Sequence, residues 1–489
     1  MSSLNQHETP LFTALVQHAA NNPIQFHIPG HKKGQGIDQE FRDFVGENIL
    51  SIDQINIVPL DDLHQPEGVI KEAQLLAAQA FGADYSFFSV QGTSTPIMTM
   101  IMSVCSEGDK IIIPRNVHKS ILTAIILSGA IPVFISPHKD LKLGIEHGVT
   151  IQTVKLALES HPDAKAVLII NPTYYGVSVQ LKEMVRLVHS YNIPVLVDEA
   201  HGTLIHFHEN LPLSAMEAGA DMAATSVHKL GGSLTQSSIL NVKGELINIQ
   251  RVKTVLSMLT TTSTSYILLA SLDTARRQLV FRGRYMAGQA LELASFARKE
   301  INKIPGLYCF GEEILGSEAA YSYDATKLCI HVRKLGITGY EAEKWLRKNY
   351  NIEVELSDLY NILCLVTIGD TAVNIETLIN ALGHMCQIGR EIASHEVVTK
   401  KILIPELSTL NISPRQAFYS KTESVRLEDS VERIMAEVVY VYPPGIPILI
   451  PGEIITCEII DYITQHLEVG LPVKGTEDPT VRNIKVVKV

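Results

Sequence analysis

Between residues 84 and 241, short β-rich apolar runs alternate with amphipathic helical patterns, and that alternation limits the chain to few architectures. Strands are expected at 86–90, 110–114, 132–135, 166–171, 194–198, 222–225 and 238–241, with amphipathic stretches at 119–128, 151–160 and 181–190 between them. Repeated strand–helix–strand units pack helices on both faces of a mainly parallel sheet, here of seven strands in an α/β large domain. Such sheets bind ligands beyond the carboxyl ends of their strands, so residues just after a strand are the ones to inspect.

The flanks read differently. At 489 residues the chain is too long for one compact core. Residues 1–60, rich in Gly, Pro, His and Asn around HIPGHKKGQG, read as an N-terminal arm with little regular structure. The large domain spans 61–305 and includes a helical stretch beginning near Thr274. Residues 306–390 alternate β-rich runs (327–332, 362–367) with helices, as a small α/β domain does. Residues 395–489, with the Pro-rich YPPGIPILIPGE at 442–453, form a C-terminal subdomain.

Composition removes several classes of function. The formal net charge of −11 argues against a nucleic-acid binder, which needs a basic face to displace counterions. Six cysteines (Cys105, Cys309, Cys329, Cys364, Cys386, Cys457) contain no CxxC pair, so neither a disulfide framework nor a zinc ribbon is indicated. The start, MSSLNQHETPLF, lacks the basic and apolar segments of a signal peptide. The most apolar stretch, 124–135, is 12 residues long and broken by Gly129 and Pro132, too short to span a bilayer. A cytoplasmic protein with no membrane partner is expected.

The chemistry concentrates after three of the strands. In VLVDEAHG, Asp198 and Glu199 follow an apolar run. An acidic pair of this kind serves a DEAH-type nucleotide-binding protein when a GxxxxGK[ST] loop precedes it, but Gly-Lys occurs nowhere in the chain. The other reading is an aspartate that pairs with a pyridinium nitrogen. Pyridoxal phosphate (PLP) withdraws electrons only while its ring nitrogen stays protonated, and a carboxylate beside it keeps it so. A lysine must then lie near to hold the cofactor as a Schiff base. Lys229, in SVHKLGG, follows the next strand, 31 residues beyond Asp198, about one strand–helix–strand excursion. A lone lysine after a strand is ordinarily a solvated side chain. The pairing with Asp198, the flanking Ser226 and His228 and the two following glycines reverse that reading.

Two further segments suit the same cofactor. Gln91-Gly92-Thr93-Ser94-Thr95 lies between a strand and an apolar helical stretch, where N–H groups and hydroxyls make an anion site, although plain N-capping also explains it. His118, after KIIIPRNV, can stack on the cofactor ring or simply make local bonds at a helix start. His201, His206 and His208 raise the possibility of a metal, but their spacing lacks HExxH and no cysteine is near, so no metal is expected.

Together these motifs resemble the ornithine/lysine/arginine decarboxylases of PLP fold type I. The likeness runs nearly end to end, through FHIPGHKKG, PLDDLHQPEGVIKEAQ, FFSVQGTS, PRNVHKS, NPTYYG, VDEAHG, SVHKLGGSLTQSS, TSTSYILLASLD, SPRQAFY and YPPGIPILIPGE. It implies an aspartate-aminotransferase-like large domain that binds PLP through Lys229, with Asp198 on the ring nitrogen. It further implies His118 on the ring face, His201 near the ring hydroxyl, and Thr93, Ser94, Ser226 and His228 around the phosphate. The family forms homodimers with sites at the subunit interface, so Thr264 or Ser265 is implied to reach the partner's phosphate. One departure stands out: the family's small-Gly-Arg-Ile reads Ser430-Val431-Glu432-Arg433-Ile434, with glutamate where a glycine is usual. A positive φ there would make the change a local strain.

The implied reaction is decarboxylation of a basic amino acid. LTQSSIL, ELSDLYNIL and the chain length favour L-arginine, giving agmatine for polyamine (spermidine) biosynthesis, over lysine (cadaverine) and ornithine (putrescine). After CO₂ leaves, a proton returns to Cα, with Lys229 and His228 as candidate donors. Asp61, Asp62, Asp358 and Glu453 are candidate carboxylates for the substrate's cationic head. A PLP aminotransferase would share Asp198 and Lys229 but would require a keto-acid acceptor.

Overall fold

The computed structural model describes residues 4–392, 405–441, 446–468 and 471–488. Seven strands form one sheet: β1 (Tyr85–Ser89), β2 (Lys110–Pro114), β3 (Ile131–Ile135), β4 (Ala166–Ile170), β5 (Val195–Asp198), β6 (Met222–Thr225) and β7 (Ser238–Val242). Their order is β1-β7-β6-β5-β4-β2-β3. The pairs β2–β3, β2–β4 and β5–β6 are parallel, and β7 runs antiparallel to both of its neighbours. The mainly parallel seven-stranded sheet expected from the sequence is therefore present, with each strand within a residue of its expected place. All four residues of β5 and of β6 are buried, which is why these strands read as apolar runs up to their last residues, Asp198 and Thr225, instead of alternating.

The chain divides into two compact units, residues 1–104 with 194–288 and residues 105–193 with 289–489. In the first unit the arm departs from expectation, because three helices form there: Pro10–Ala20, Gln39–Val45 and Glu47–Ser51. Leu11 and Leu15, one helical turn apart, are fully buried. The first turn is also fastened by Asp273, whose carboxylate accepts from the backbone N–H groups of Leu11 (3.1 Å) and Phe12 (3.3 Å). Local composition conceals such a helix, since a partner 262 residues away completes it. The long helix likewise starts earlier than expected, running from Tyr266 to Ile301, because Tyr266, Leu269, Ala270 and Leu272 bury a helical stripe.

In the second unit, residues 308–365 contribute a four-stranded antiparallel sheet whose core includes Leu328, Ile330, Leu346, Ile362 and Leu382. A separate core around Met435, Val439, Leu449, Ile455, Ile463 and Ile484 holds the C-terminal segment. The Pro-rich stretch begins at 442–445, which lie outside the described residues, as do 393–404. Its end is anchored by Arg115, just after β2. The guanidinium pairs with both oxygens of Glu453 (2.7 and 2.9 Å) and donates to the carbonyls of Pro447 (3.0 Å) and Ile448 (2.9 Å).

Glu432 sits at φ 64°, the left-handed region, so the position where the family carries glycine does demand a positive φ. Its side chain is exposed, and its N–H donates to Ile455 O at 2.8 Å, a bond that any residue would keep. A non-glycine residue there costs about 1–2 kcal/mol, partly offset because glycine loses more chain entropy on folding. Glu432→Gly is expected to stabilise the protein by about 0.5–1 kcal/mol. Urea unfolding midpoints of the two proteins measure it; an unchanged or lower midpoint would show that the turn carries no strain.

Candidate active site

β5 and β6 run side by side in register Leu196↔Met222, Val197↔Ala223 and Asp198↔Ala224, so both chains leave the sheet over the same edge. Asp198 ends β5 as a buried residue, and its Oδ1 accepts from Ala200 N at 3.1 Å. Beyond it, His201 is also buried. Beyond β6, Ser226 leads into a single helical turn, Val227–Leu230, which carries Lys229. Lys229 Nζ lies 2.7 Å from His201 Nε2. The structure thus joins two of the residues singled out in the sequence, with Asp198 three positions before one of them.

The Thr93 hydroxyl of the Gln91–Thr95 turn reaches the same strand ends. Thr93 Oγ1 bonds Ser226 Oγ directly and lies 2.9 Å from Ser238 Oγ, which in turn donates to Thr225 O at 2.8 Å. Gly92 adopts φ 69° and donates its N–H to Gln236 O at 2.8 Å, which turns the chain into the eleven-residue helix Ser94–Val104. Ser94 opens that helix. The unbonded N–H groups of a helix's first turn favour an anion, and hydroxyls beside them add donors.

His228 has a defined role in this network. Its Nδ1 lies 2.8 Å from Ser237 O. A carbonyl only accepts, so Nδ1 carries the proton and Nε2 of the neutral ring is an acceptor. Burial pushes the imidazole pKa down from its ordinary 6.5; the Ser237 bond opposes this and the Lys229 charge adds to it. The other histidines have separate partners: His206 Nε2 meets Glu199 Oε2 at 2.7 Å, and His208 Nδ1 accepts from Asn210 N at 3.1 Å.

His118, in the second unit, is the N-cap of the helix Lys119–Ser128, and its Nδ1 lies 2.8 Å from Ser120 Oγ. The local bonding weighed for it from sequence is therefore present. Thr264 is buried, and Ser265 Oγ accepts from Leu268 N at 3.4 Å as the long helix begins. The four candidate substrate carboxylates all have protein partners. Burial alone would raise the Asp61 carboxyl, but backbone N–H groups of Glu67, Asp62, Gly68 and Lys71 outweigh it and hold the pKa below the ordinary carboxylate range. Asp62 accepts from Asn56 Nδ2 and His64 N, both at 2.9 Å. Asp358 is buried, takes the Tyr175 hydroxyl at 2.8 Å, and has its pKa raised by that burial. Glu453 is held by Arg115.

Two participants carry no site motif in the sequence. Ser238, in β7, reads only as a strand residue, yet it bonds the Thr93 hydroxyl. Glu199 reads only as half of an acidic pair, yet it is wholly buried with three donors. Strand alternation was the available signal, since adjacent residues face opposite sides.

The family model described as "Orn/Lys/Arg decarboxylase, major domain" matches residues 9–374, and "Orn/Lys/Arg decarboxylase, C-terminal domain" matches residues 398–475. An arginine decarboxylase of Bacillus anthracis is 62% identical over 488 residues, covering 100% of this chain and 99% of that protein. One of Bacillus subtilis is 61% identical over 487 residues, covering 99% of each. The crystal structure of a lysine decarboxylase of Francisella novicida superposes with a TM-score of 0.86 over 98% of this chain and 81% of that one, at 22% identity, a likeness of fold.

The lowered pKa of His228 makes stability depend on pH. The unfolded imidazole titrates near 6.5 and the folded one lower, so below 6.5 the unfolded chain takes up a proton first. His228 therefore contributes stability above pH 6.5 that is lost as pH falls through that value towards the folded pKa. Nitrogen-15 NMR of the cofactor-free protein should show a neutral Nδ1–H ring still present at pH 6.5. A midpoint at or above 6.5, or the opposite tautomer, would contradict it.

Proposed function

The chain belongs to the Orn/Lys/Arg decarboxylase family, and from that premise we propose that it converts L-arginine to agmatine and CO₂ with Lys229 holding PLP covalently. The observation that carries the reading is Lys229 beside His201, on the strand edge that Asp198 also reaches. Full-length identity of 61–62% to arginine decarboxylases favours arginine over lysine and ornithine as substrate.

PLP is the expected cofactor of this family, and the donor set suits it. Lys229 supplies the primary amine, Asp198 a buried carboxylate for the ring nitrogen, and Thr93, Ser94 and Ser226 hydroxyls for the phosphate at a helix start. His118 and Ser265 complete the set proposed from the family resemblance, on the ring face and towards the partner's phosphate. When bound, the cofactor accepts the electron pair left on Cα as CO₂ departs. The chain's residues then perform the proton chemistry. His201 Nε2 accepts the hydrogen bond of Lys229 Nζ and holds the amine at the strand edge. His228, with its Nδ1–H engaged by Ser237 O, offers only an acceptor at Nε2 in its neutral form. We therefore assign the return of the proton to Cα to Lys229, and an accepting role to His228.

We further infer a homodimer. Ile24, Phe26, Phe44 and Val58 in the arm are 86–100% exposed, and apolar exposure of this extent marks an association surface. No described helix is long and apolar enough to cross a membrane. We place the reaction in the cytoplasm and in polyamine supply. The division into an arm (1–60), a PLP-binding domain (61–305), a small domain (306–390) and a C-terminal subdomain (395–489) stands as part of the same proposal.

The test is a visible spectrum of the purified protein together with CO₂ release from arginine, lysine and ornithine. The expected outcome is a yellow protein that releases CO₂ fastest from arginine, with both colour and turnover missing in Lys229→Ala. A variant that kept colour and turnover would refute the assignment of Lys229, and faster release from lysine or ornithine would refute the substrate.

A further inference from the structure

Glu199 is wholly buried, and nothing in the proposed reaction uses it. Its N–H continues the ladder of β5 by donating to Ala224 O at 3.1 Å, so its side chain leaves on the face opposite Asp198. There Oε1 accepts from Ala215 N at 2.6 Å, at the start of the short helix Ala215–Ala218. Oε2 accepts from Thr225 Oγ1 at 3.0 Å and meets His206 Nε2 at 2.7 Å. A buried carboxyl is tolerated only when its oxygens are bonded, and here three donors from three separate segments serve it.

Each of those segments also carries part of the site. Thr225 ends β6, immediately before Ser226 and four residues before Lys229. His206 closes the turn Thr203–His206, which follows His201. A second bond repeats the connection, from Thr203 Oγ1 to Ser226 O at 2.8 Å. The packing allows no slack: a Cβ at Gly231 would stand 2.6 Å from Thr203 Cγ2, so the turn bearing Lys229 lies directly on the turn after His201. Movement of Glu199 would shift the end of β5, with Asp198 and His201, against the end of β6, with Ser226 and Lys229.

We propose that Glu199 is a positioning residue: with Thr225 and His206 it locks the ends of β5 and β6 at one separation and so sets how Asp198, His201 and Lys229 stand towards a bound cofactor. The inference rests on the proposed PLP chemistry and adds to it a residue that touches neither cofactor nor substrate.

The test uses holoenzyme variants Thr225→Val, His206→Gln, Glu199→Ala and Glu199→Gln, with three measurements on each. These are the dissociation constant for PLP, the pH midpoint of the visible band, and the melting temperature. Thr225→Val removes one donor while changing shape least. It should weaken PLP binding about tenfold, or about 1.4 kcal/mol, and move the band's midpoint with only a small loss of melting temperature. Glu199→Ala should lose more. Glu199→Gln should recover most of that loss, because its amide oxygen still accepts from Ala215 N. If the variants melt earlier while the dissociation constant and midpoint stay at wild-type values, Glu199 serves fold stability alone and the positioning role is overturned. Should Glu199→Ala fail to fold, Thr225→Val and His206→Gln decide the question in the same way. A wild-type protein with no visible band would overturn the cofactor reading itself, an outcome distinct from variants that leave an existing band unmoved.

Discussion

The parallel pairing of β5 with β6 sends two chain segments out over one edge of the sheet, and the proposed chemistry follows from that pairing. His201 and Lys229, separated by 28 positions, become neighbours because the chain between them returns through the adjacent parallel strand to the same edge. Backbone hydrogen bonds hold that return, and burial on both faces makes it stable. What emerges at the edge is polar: Asp198 and Thr225 end two buried strands whose other residues are apolar.

Polar groups at such an edge need partners, and the structure gives them specific ones. His201 meets Lys229, His206 meets Glu199, and His228 meets a backbone carbonyl. The three histidines of HGTLIHFH thus have different partners: Lys229 for His201, Glu199 for His206, and the backbone N–H of Asn210 for His208. The hydroxyls behave alike: Thr93, Ser226 and Ser238 form one chain across a turn and two strand ends. Such networks specify a single arrangement because each member loses a bond if any other moves.

The second unit contains a comparable device at larger scale. Arg115 leaves β2 and binds Glu453 and two carbonyls of the stretch that precedes it, while its guanidinium lies 4.5 Å from the centre of the Phe134 ring. Removing one member of a buried pair typically costs about 3–5 kcal/mol, because the other charge is left without a counterion. PRNVHKS and YPPGIPILIPGE, two of the most distinctive motifs in the chain, therefore meet in one structural bond. Glu453, a candidate for binding substrate by its charge, is better explained as the acceptor of Arg115.

The sequence by itself determined the sheet, the helices at 119–128 and 151–160, and the placing of Asp198 at one strand end and Lys229 beyond the next, because apolar runs and their period report burial directly. It could not determine the partners of the polar residues. The arm helix depends on Asp273, the early start of the long helix on its buried stripe, and the role of Glu199 on donors at 206, 215 and 225. Tertiary structure alone decided these, for a physical reason: burial is written into the composition of each segment, whereas a hydrogen bond is a property of two atoms. Its existence depends on distances and angles that are set only when segments far apart in the chain have packed.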